Sequence, residues 1–192
     1  FSKMANYRFH YHVTGDAAAA AVSELGVGRP AAFVSAMGSA GTIAAGDALK
    51  ARCSARIIGL EPVQCPTLFC NGHGTHAIEG IGDQHVTWIQ HVTNLDALMC
   101  IDDQACLDGL ELISDPVGRD FLAGAGGLGA SAQTLSTLLG ISGVCNLLGA
   151  IKTAKWLQLG PREAVVTVAT DALDRYPSVL RRLRERRGAL TK

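Results

Sequence analysis

The stretch from Phe33 to Gly46, F-V-S-A-M-G-S-A-G-T-I-A-A-G, constrains the fold of this 192-residue chain more than any other. A β-forming apolar run through Ala32, Phe33 and Val34 stops at Gly38-Ser39-Ala40-Gly41-Thr42. It becomes a small-residue segment, Ile43 to Ala51, that reads as a helix. Strand, tight turn and helix in that order leave unpaired N–H groups at the helix start, aimed into the turn with the helix dipole behind them. An anion belongs there, a phosphate in the first instance. Small residues where a helix packs on a sheet give the same local pattern, so the turn takes its meaning from the rest of the chain.

Ala55 to Leu60 is a second buried strand, which sets the turn inside a βαβ crossover. Ala97 to Ile101 and the buried run Ala164 to Ala169 read as a third and a fourth strand. Asp16 is placed to cap a helix through the alanine run to Leu25, Asp102-Asp103 opens a helix to Ile113, and Asp115-Pro116 opens another to Ala123. A long helix begins at Ile141 with Ser142 as its cap and a stripe of Leu147, Leu148, Ile151, Ala154, Lys155 and Leu157. With 48% of residues apolar and only 5% aromatic, the core is built from Ala, Val, Leu and Ile. The expected class is α/β: a three-layer αβα arrangement on a mostly parallel sheet. Residues 1–15 read as a connector, 16–176 as the α/β lobe, and 177–192 as a basic terminal helix carrying Arg181, Arg182, Arg184, Arg186 and Arg187.

The formal net charge is zero, which argues against nucleic acid as a partner, and no apolar run approaches a membrane span. Six scattered cysteines, Cys53, Cys65, Cys70, Cys100, Cys106 and Cys145, read as small buried hydrophobes in a reducing, cytoplasmic compartment.

Three chemistries compete for the glycine turn. A dinucleotide site would use Glu61, about twenty residues on, as its ribose carboxylate, but Gly38 and Gly41 are three apart where that fingerprint needs two. A zinc site from Cys65, Cys70, His73 and His76 has the right ligand types in a spacing that matches no recurrent knuckle, so no metal is assigned. The third gathers the turn, the glycine loop Gly80, Ile81, Gly82 and the polar strand end Thr170-Asp171 around one flat phosphorylated cofactor.

At this point a resemblance enters. Residues 1–15, with Asn6, His10-Tyr11 or Tyr11-His12, and Thr14-Gly15, resemble the segment Q-F-x-N-P-A-N-x-x-x-H-Y-x-T-T-G of the cysteine synthase (fold type II, tryptophan synthase β-like) family of pyridoxal-phosphate enzymes. Gly38-Ser39-Ala40-Gly41-Thr42 resembles that family's G-T-G-G-T, Ile58-Gly59-Leu60-Glu61-Pro62 its I-G-V-E-P, and Glu79-Gly80-Ile81-Gly82 its Q-G-I-G. Gly140-Ile141-Ser142-Gly143 resembles G-I-S-S-G, and the run from Val166 to Tyr176 resembles V-V-I-L-P-S-S-G-E-R-Y. Order and spacing match across nearly the whole chain.

The resemblance implies the C-terminal large lobe of a type II enzyme and the cofactor pyridoxal 5'-phosphate. Its phosphate would be bound by Gly38, Ser39, Ala40, Gly41 and Thr42, and its cleft lined by Gly80, Ile81 and Gly82. The residue facing the pyridine nitrogen is a serine in the family and Asp171 here, with Thr170 as the neighbouring alternative; a carboxylate favours a protonated ring. No lysine of this chain matches the family's Schiff-base lysine, which is expected outside it, on a second chain or segment carrying the N-terminal half. The implied activity is that of a lyase or transferase, by α-proton abstraction and β-elimination or β-replacement on a small amino acid, in a homo- or hetero-oligomer. Rival readings are a non-catalytic regulatory or interaction subunit that keeps the fold, and a Rossmann-like nucleotide binder.

Overall fold

The computed structural model describes residues 3–191; Phe1, Ser2 and Lys192, the ends of the expected connector and tail, lie outside the described residues. The core of the structure is a parallel sheet of four strands in the order β3-β2-β1-β4: β1 (Arg29–Ala36), β2 (Arg56–Pro62), β3 (Ala97–Ile101) and β4 (Glu163–Val166). β1 runs in register with β2, Phe33 opposite Ile57 and Val34 opposite Ile58.

Period-two alternation sorts the strand residues onto two faces. Ala32, Val34, Ile58 and Leu60 point to one side, where α5 (Asp103–Ser114), α8 (Ile141–Trp156) and α9 (Pro177–Arg187) cover them with Leu110, Ile141, Val144, Val179 and Leu183. Phe33 and Ile57 point to the other, against Ile43, Ala45 and Leu49 of α3 (Ile43–Cys53), with Ala18 and Ala19 of α2 (Gly15–Leu25) outside. That is the expected three-layer αβα arrangement. Fully burying each large aliphatic side chain contributes about 1.5–3 kcal/mol. The small residues of α3 have a packing reason: a Cβ on Gly46 would lie 2.7 Å from the Phe33 ring.

The capping acids behave as read. Asp102 accepts from Gln104 N–H at 2.7 Å to start α5, and Asp115 accepts from Val117 N–H at 2.9 Å to start α6 (Pro116–Ala123). The arginines of α9 fold back on these elements: Arg184 reaches Asp115 at 3.4 Å, and Arg187 reaches Asp108 and Glu111 at 2.8 Å each.

Several expectations are corrected. No helix starts at Asp16: the chain is already helical in α1 (Met4–Phe9), continues through a π-helical turn at His10–Thr14 and runs on into α2, while Asp16 pairs with Arg52. The stripe assigned to α8 is not its buried face. Ile151 is exposed and Leu147 and Leu148 are half-buried, whereas Ile141, Ser142, Val144, Cys145, Asn146, Gly149 and Thr153 are buried, because the small and polar residues let the helix approach the sheet closely. Ser142 does not cap α8; Gly140 holds that position. β4 ends at Val166, three residues early, and is half-buried because it lies on an edge of the sheet. Cys70 is exposed, while Cys65, Cys106 and Cys145 are buried and Cys53 and Cys100 lie between.

Candidate cofactor cleft

β1 ends at the edge of a cleft of about 430 Å³. Gly38, Ser39, Ala40, Gly41 and Thr42 form one wall, Gly80 and Ile81 another, and Thr170 and Asp171 a third, so residues far apart in sequence meet at one place. Gly82 lies outside that lining. Its N–H donates to Met37 O at 2.9 Å, and it borders a small adjoining crevice with Met37, Gly38 and Asp83.

The turn has the makings of an anion cradle. Among the described residues, the N–H groups of Ser39, Ala40, Gly41 and Thr42 donate to no backbone acceptor, and the first helical bonds run from Ala44 to Gly41 O and from Ala45 to Thr42 O, each 3.0 Å. Convergent unpaired N–H groups at the N-terminus of an eleven-residue helix attract negative charge. Ala40 reaches this geometry with φ +64°, the left-handed region that costs a residue with a Cβ about 1–2 kcal/mol. Gly41 has no room for a side chain: a Cβ there would lie 2.7 Å from Asn6 Nδ2 and 2.9 Å from His10 Cδ2. Asn6 Nδ2 in turn donates to Ser39 Oγ at 3.2 Å, so α1 braces the turn from behind. Burial beside the turn lowers the His10 pKa, and its ring nitrogen is paired with Thr14 Oγ1 at 2.9 Å.

The opposite wall is a chain of hydroxyls and a carboxylate. Ser142 Oγ and Thr170 Oγ1 are 2.6 Å apart, Thr170 Oγ1 is 3.4 Å from Asp171 Oδ1, and the Tyr176 hydroxyl donates to Asp171 Oδ2. Gly140 N–H fixes the Asp171 backbone by donating to its carbonyl at 2.7 Å. Burial, then the bond to Asp171, pushes the Tyr176 pKa up, so the phenol keeps its proton. Ser142, Asn146, Arg175 and Tyr176 also line the cleft and are not picked out by sequence reading. Asn146 had a signal, a lone amide inside the apolar run V-C-N-L-L of α8.

The competing chemistries find little here. Both oxygens of Glu61, which is 5% exposed, accept backbone N–H groups, from Leu68 at 2.8 Å and Phe69 at 3.0 Å, leaving neither for a ribose. Among the described residues no group of three or more His, Cys, Asp or Glu side chains is arranged to hold a metal ion. No lysine among them lines the cleft: Lys50 Nζ bonds Asn94 O and Asp96, and Lys152 Nζ bonds Cys100 O.

No protein-family model and no curated protein sequence matches this chain. Solved structures do. A hydrogen sulfide-producing enzyme from Fusobacterium nucleatum superposes with a TM-score of 0.75 at 25% identity, covering 100% of this chain and 51% of that one. An O-acetylserine-dependent cystathionine β-synthase from Helicobacter pylori gives 0.67 at 27% identity, over 90% and 49%. A cysteine synthase from Entamoeba histolytica gives 0.71 at 19%, over 96% and 51%. The fold is that of the type II pyridoxal-phosphate enzymes.

The chain spans about half the length of these type II structures. The residues present fit the cofactor that the type II fold implies: a nest of free N–H groups for a phosphate stands across the cleft from a hydroxyl and carboxylate wall suited to a ring nitrogen.

Proposed function

We propose that this chain forms the cofactor-binding part of a pyridoxal-phosphate-dependent lyase or transferase acting on a small amino acid by α-proton abstraction and β-elimination or β-replacement. The observation that carries the reading is the meeting of the glycine turn, the Gly80-Ile81 loop and the Thr170-Asp171 segment beyond β4 around one cleft of about 430 Å³.

Gly38, Ser39, Ala40, Gly41 and Thr42 bind the phosphate through their N–H groups and the Ser39 and Thr42 hydroxyls. Gly80 and Ile81 border the substrate, and Gly82 anchors their loop through Met37 O. Asp171 faces the ring nitrogen, held in place by Tyr176 and by the Gly140 amide, and its carboxylate favours a proton on that nitrogen. Thr170, tied to Ser142, stands beside it as a neutral donor. When bound, pyridoxal phosphate supplies the electron sink that makes loss of the substrate α-proton accessible. The Schiff-base lysine comes from a second chain or segment carrying the N-terminal half, since the described lysines lie away from the cleft. The likeness to the hydrogen sulfide-producing enzyme and to the O-acetylserine-dependent cystathionine β-synthase supports the β-replacement and elimination class.

The test is a binding titration of the full-length protein with pyridoxal phosphate and, separately, with NAD. The reading predicts stoichiometric pyridoxal phosphate uptake with a visible absorption band; tighter binding of NAD, or uptake of neither, overturns it.

A further inference from the structure

Asp47 lies in the second turn of α3 and is 6% exposed, and among the described residues no lysine or arginine pairs with it. Burying a carboxylate is costly unless donors reach its oxygens. Here they come from two other parts of the chain. The Tyr7 hydroxyl of α1 donates to Asp47 Oδ2 at 2.6 Å, Asn94 Nδ2 donates to Oδ1, and His91 Nδ1 stands 3.7 Å from Oδ2. Lys50, one turn further along α3, spends its ammonium on Asn94 O at 2.8 Å and Asp96 Oδ2 at 2.9 Å instead.

The bond to Tyr7 matters because apolar burial does little to fix α1. None of its six residues is buried, and Tyr7 alone among them packs against the core on the α3 side. A helix of that length does not hold its own shape in water. Two polar ties on successive residues dock it: Tyr7 to Asp47, and Asn6 Nδ2 to Ser39 Oγ at 3.2 Å. Burial, then the bond to Asp47, pushes the Tyr7 pKa up, so the phenol keeps the proton that it donates. The second tie reaches the glycine turn. Ser39 Oγ accepts from Asn6, which leaves its own hydrogen free to donate to an anion in the turn. Asn6 also fills the space behind Gly41, where a Cβ would meet its Nδ2 at 2.7 Å. A relay therefore runs from Asp47 through Tyr7 and Asn6 to a hydroxyl of the anion cradle.

We propose that Tyr7 and Asp47 are positioning residues for the cofactor phosphate: their hydrogen bond docks α1 on α3 and so holds Asn6 against Ser39 and Gly41. The inference rests on the pyridoxal-phosphate reading above. Neither residue lines the cleft, so both act through Asn6, which aims the Ser39 hydroxyl and closes the back of the turn.

The experiment uses the full-length protein as wild type, Tyr7→Phe, Asn6→Ala and the double variant, each titrated separately with pyridoxal phosphate, pyridoxal and inorganic phosphate. Tyr7→Phe keeps the ring and its stacking on Tyr11, at 6.0 Å between centroids, and removes only the hydroxyl. The expected result is a Kd about tenfold higher for pyridoxal phosphate and for inorganic phosphate, with the pyridoxal Kd within about twofold of wild type. Asn6→Ala gives the same selective loss, and the double variant binds no more weakly than either single one, because the two residues act in series. Equal losses for pyridoxal and pyridoxal phosphate make the pair merely structural and overturn the proposal. Wild-type phosphate affinity in Tyr7→Phe, or additive losses in the double variant, overturn it too. Should Tyr7→Phe not fold, Asp47→Asn, which keeps the side-chain shape and removes the carboxylate, takes its place with the same expected and overturning results. Failure of the wild type to take up pyridoxal phosphate overturns the underlying reading, and this inference with it.

Discussion

The side chain of Asn146 accepts a hydrogen bond from the Ala36 amide at 2.7 Å, tying the middle of α8 to the end of β1 where the glycine turn begins. Asn146 Nδ2 in turn donates to Val168 O at 2.8 Å, on the segment leading to Thr170 and Asp171. One buried residue therefore sets the spacing between the two walls of the cleft. Asn146→Leu keeps the branched shape, with slightly more bulk, but orphans a backbone N–H and a C=O, each costing about 1–3 kcal/mol when buried. Urea denaturation is expected to show a loss of about 2–4 kcal/mol, and the pyridoxal phosphate affinity falls with it.

Ala40 carries a Cβ in the left-handed region, at φ +64°. Ala40→Gly relieves that strain at the cost of a more flexible unfolded chain, for a net gain of about 0.5–1 kcal/mol. A rise in the urea midpoint at unchanged m-value is the expected reading.

Gly41→Ala does the opposite at the next residue. The new Cβ meets Asn6 Nδ2 at 2.7 Å and Oδ1 at 2.8 Å, so the turn or α1 shifts. Phosphate and pyridoxal phosphate affinity are expected to fall by about tenfold or more, equivalent to about 1.4 kcal/mol, with the far-ultraviolet circular dichroism unchanged.

Two phenols make the fold sensitive to alkali. Burial, then a bond to Asp47, raises the Tyr7 pKa, and burial, then Asp171, raises that of Tyr176. A raised folded pKa contributes stability that is fully present below the unfolded value of about 10 and is lost as pH climbs through the folded one. The stability curve is expected to fall above about pH 10, and Tyr176→Phe to flatten that fall. Tyrosinate absorbance followed against pH checks both, since each phenol ionises at a higher pH in the folded chain than in the unfolded one.

The parallel sheet was legible because its strands are short apolar runs bounded by turns, and Asp102 and Asp115 announced their helices by position. The cleft's backbone walls were legible because glycine turns and a polar pair closing an apolar run are local signals, although Thr170 and Asp171 lie beyond the end of β4 at Val166. Its side-chain lining was not. Ser142 reads as a helix cap and is spent on Thr170, and Arg175 and Tyr176 reach the cleft through a 3₁₀ turn at Leu173–Arg175 that no periodicity marks. The buried face of α8 was misread for a related reason: close approach to a sheet selects small residues, so the larger leucines were left at the margins.

The central claim is that this chain holds the cofactor while the lysine that anchors it lies elsewhere. Borohydride reduction of the full-length, pyridoxal-phosphate-loaded protein, followed by peptide mass mapping, tests this most directly. The account predicts a pyridoxyl group on a lysine outside these 192 residues. A pyridoxyl group on Lys50, Lys152 or Lys155 would contradict it.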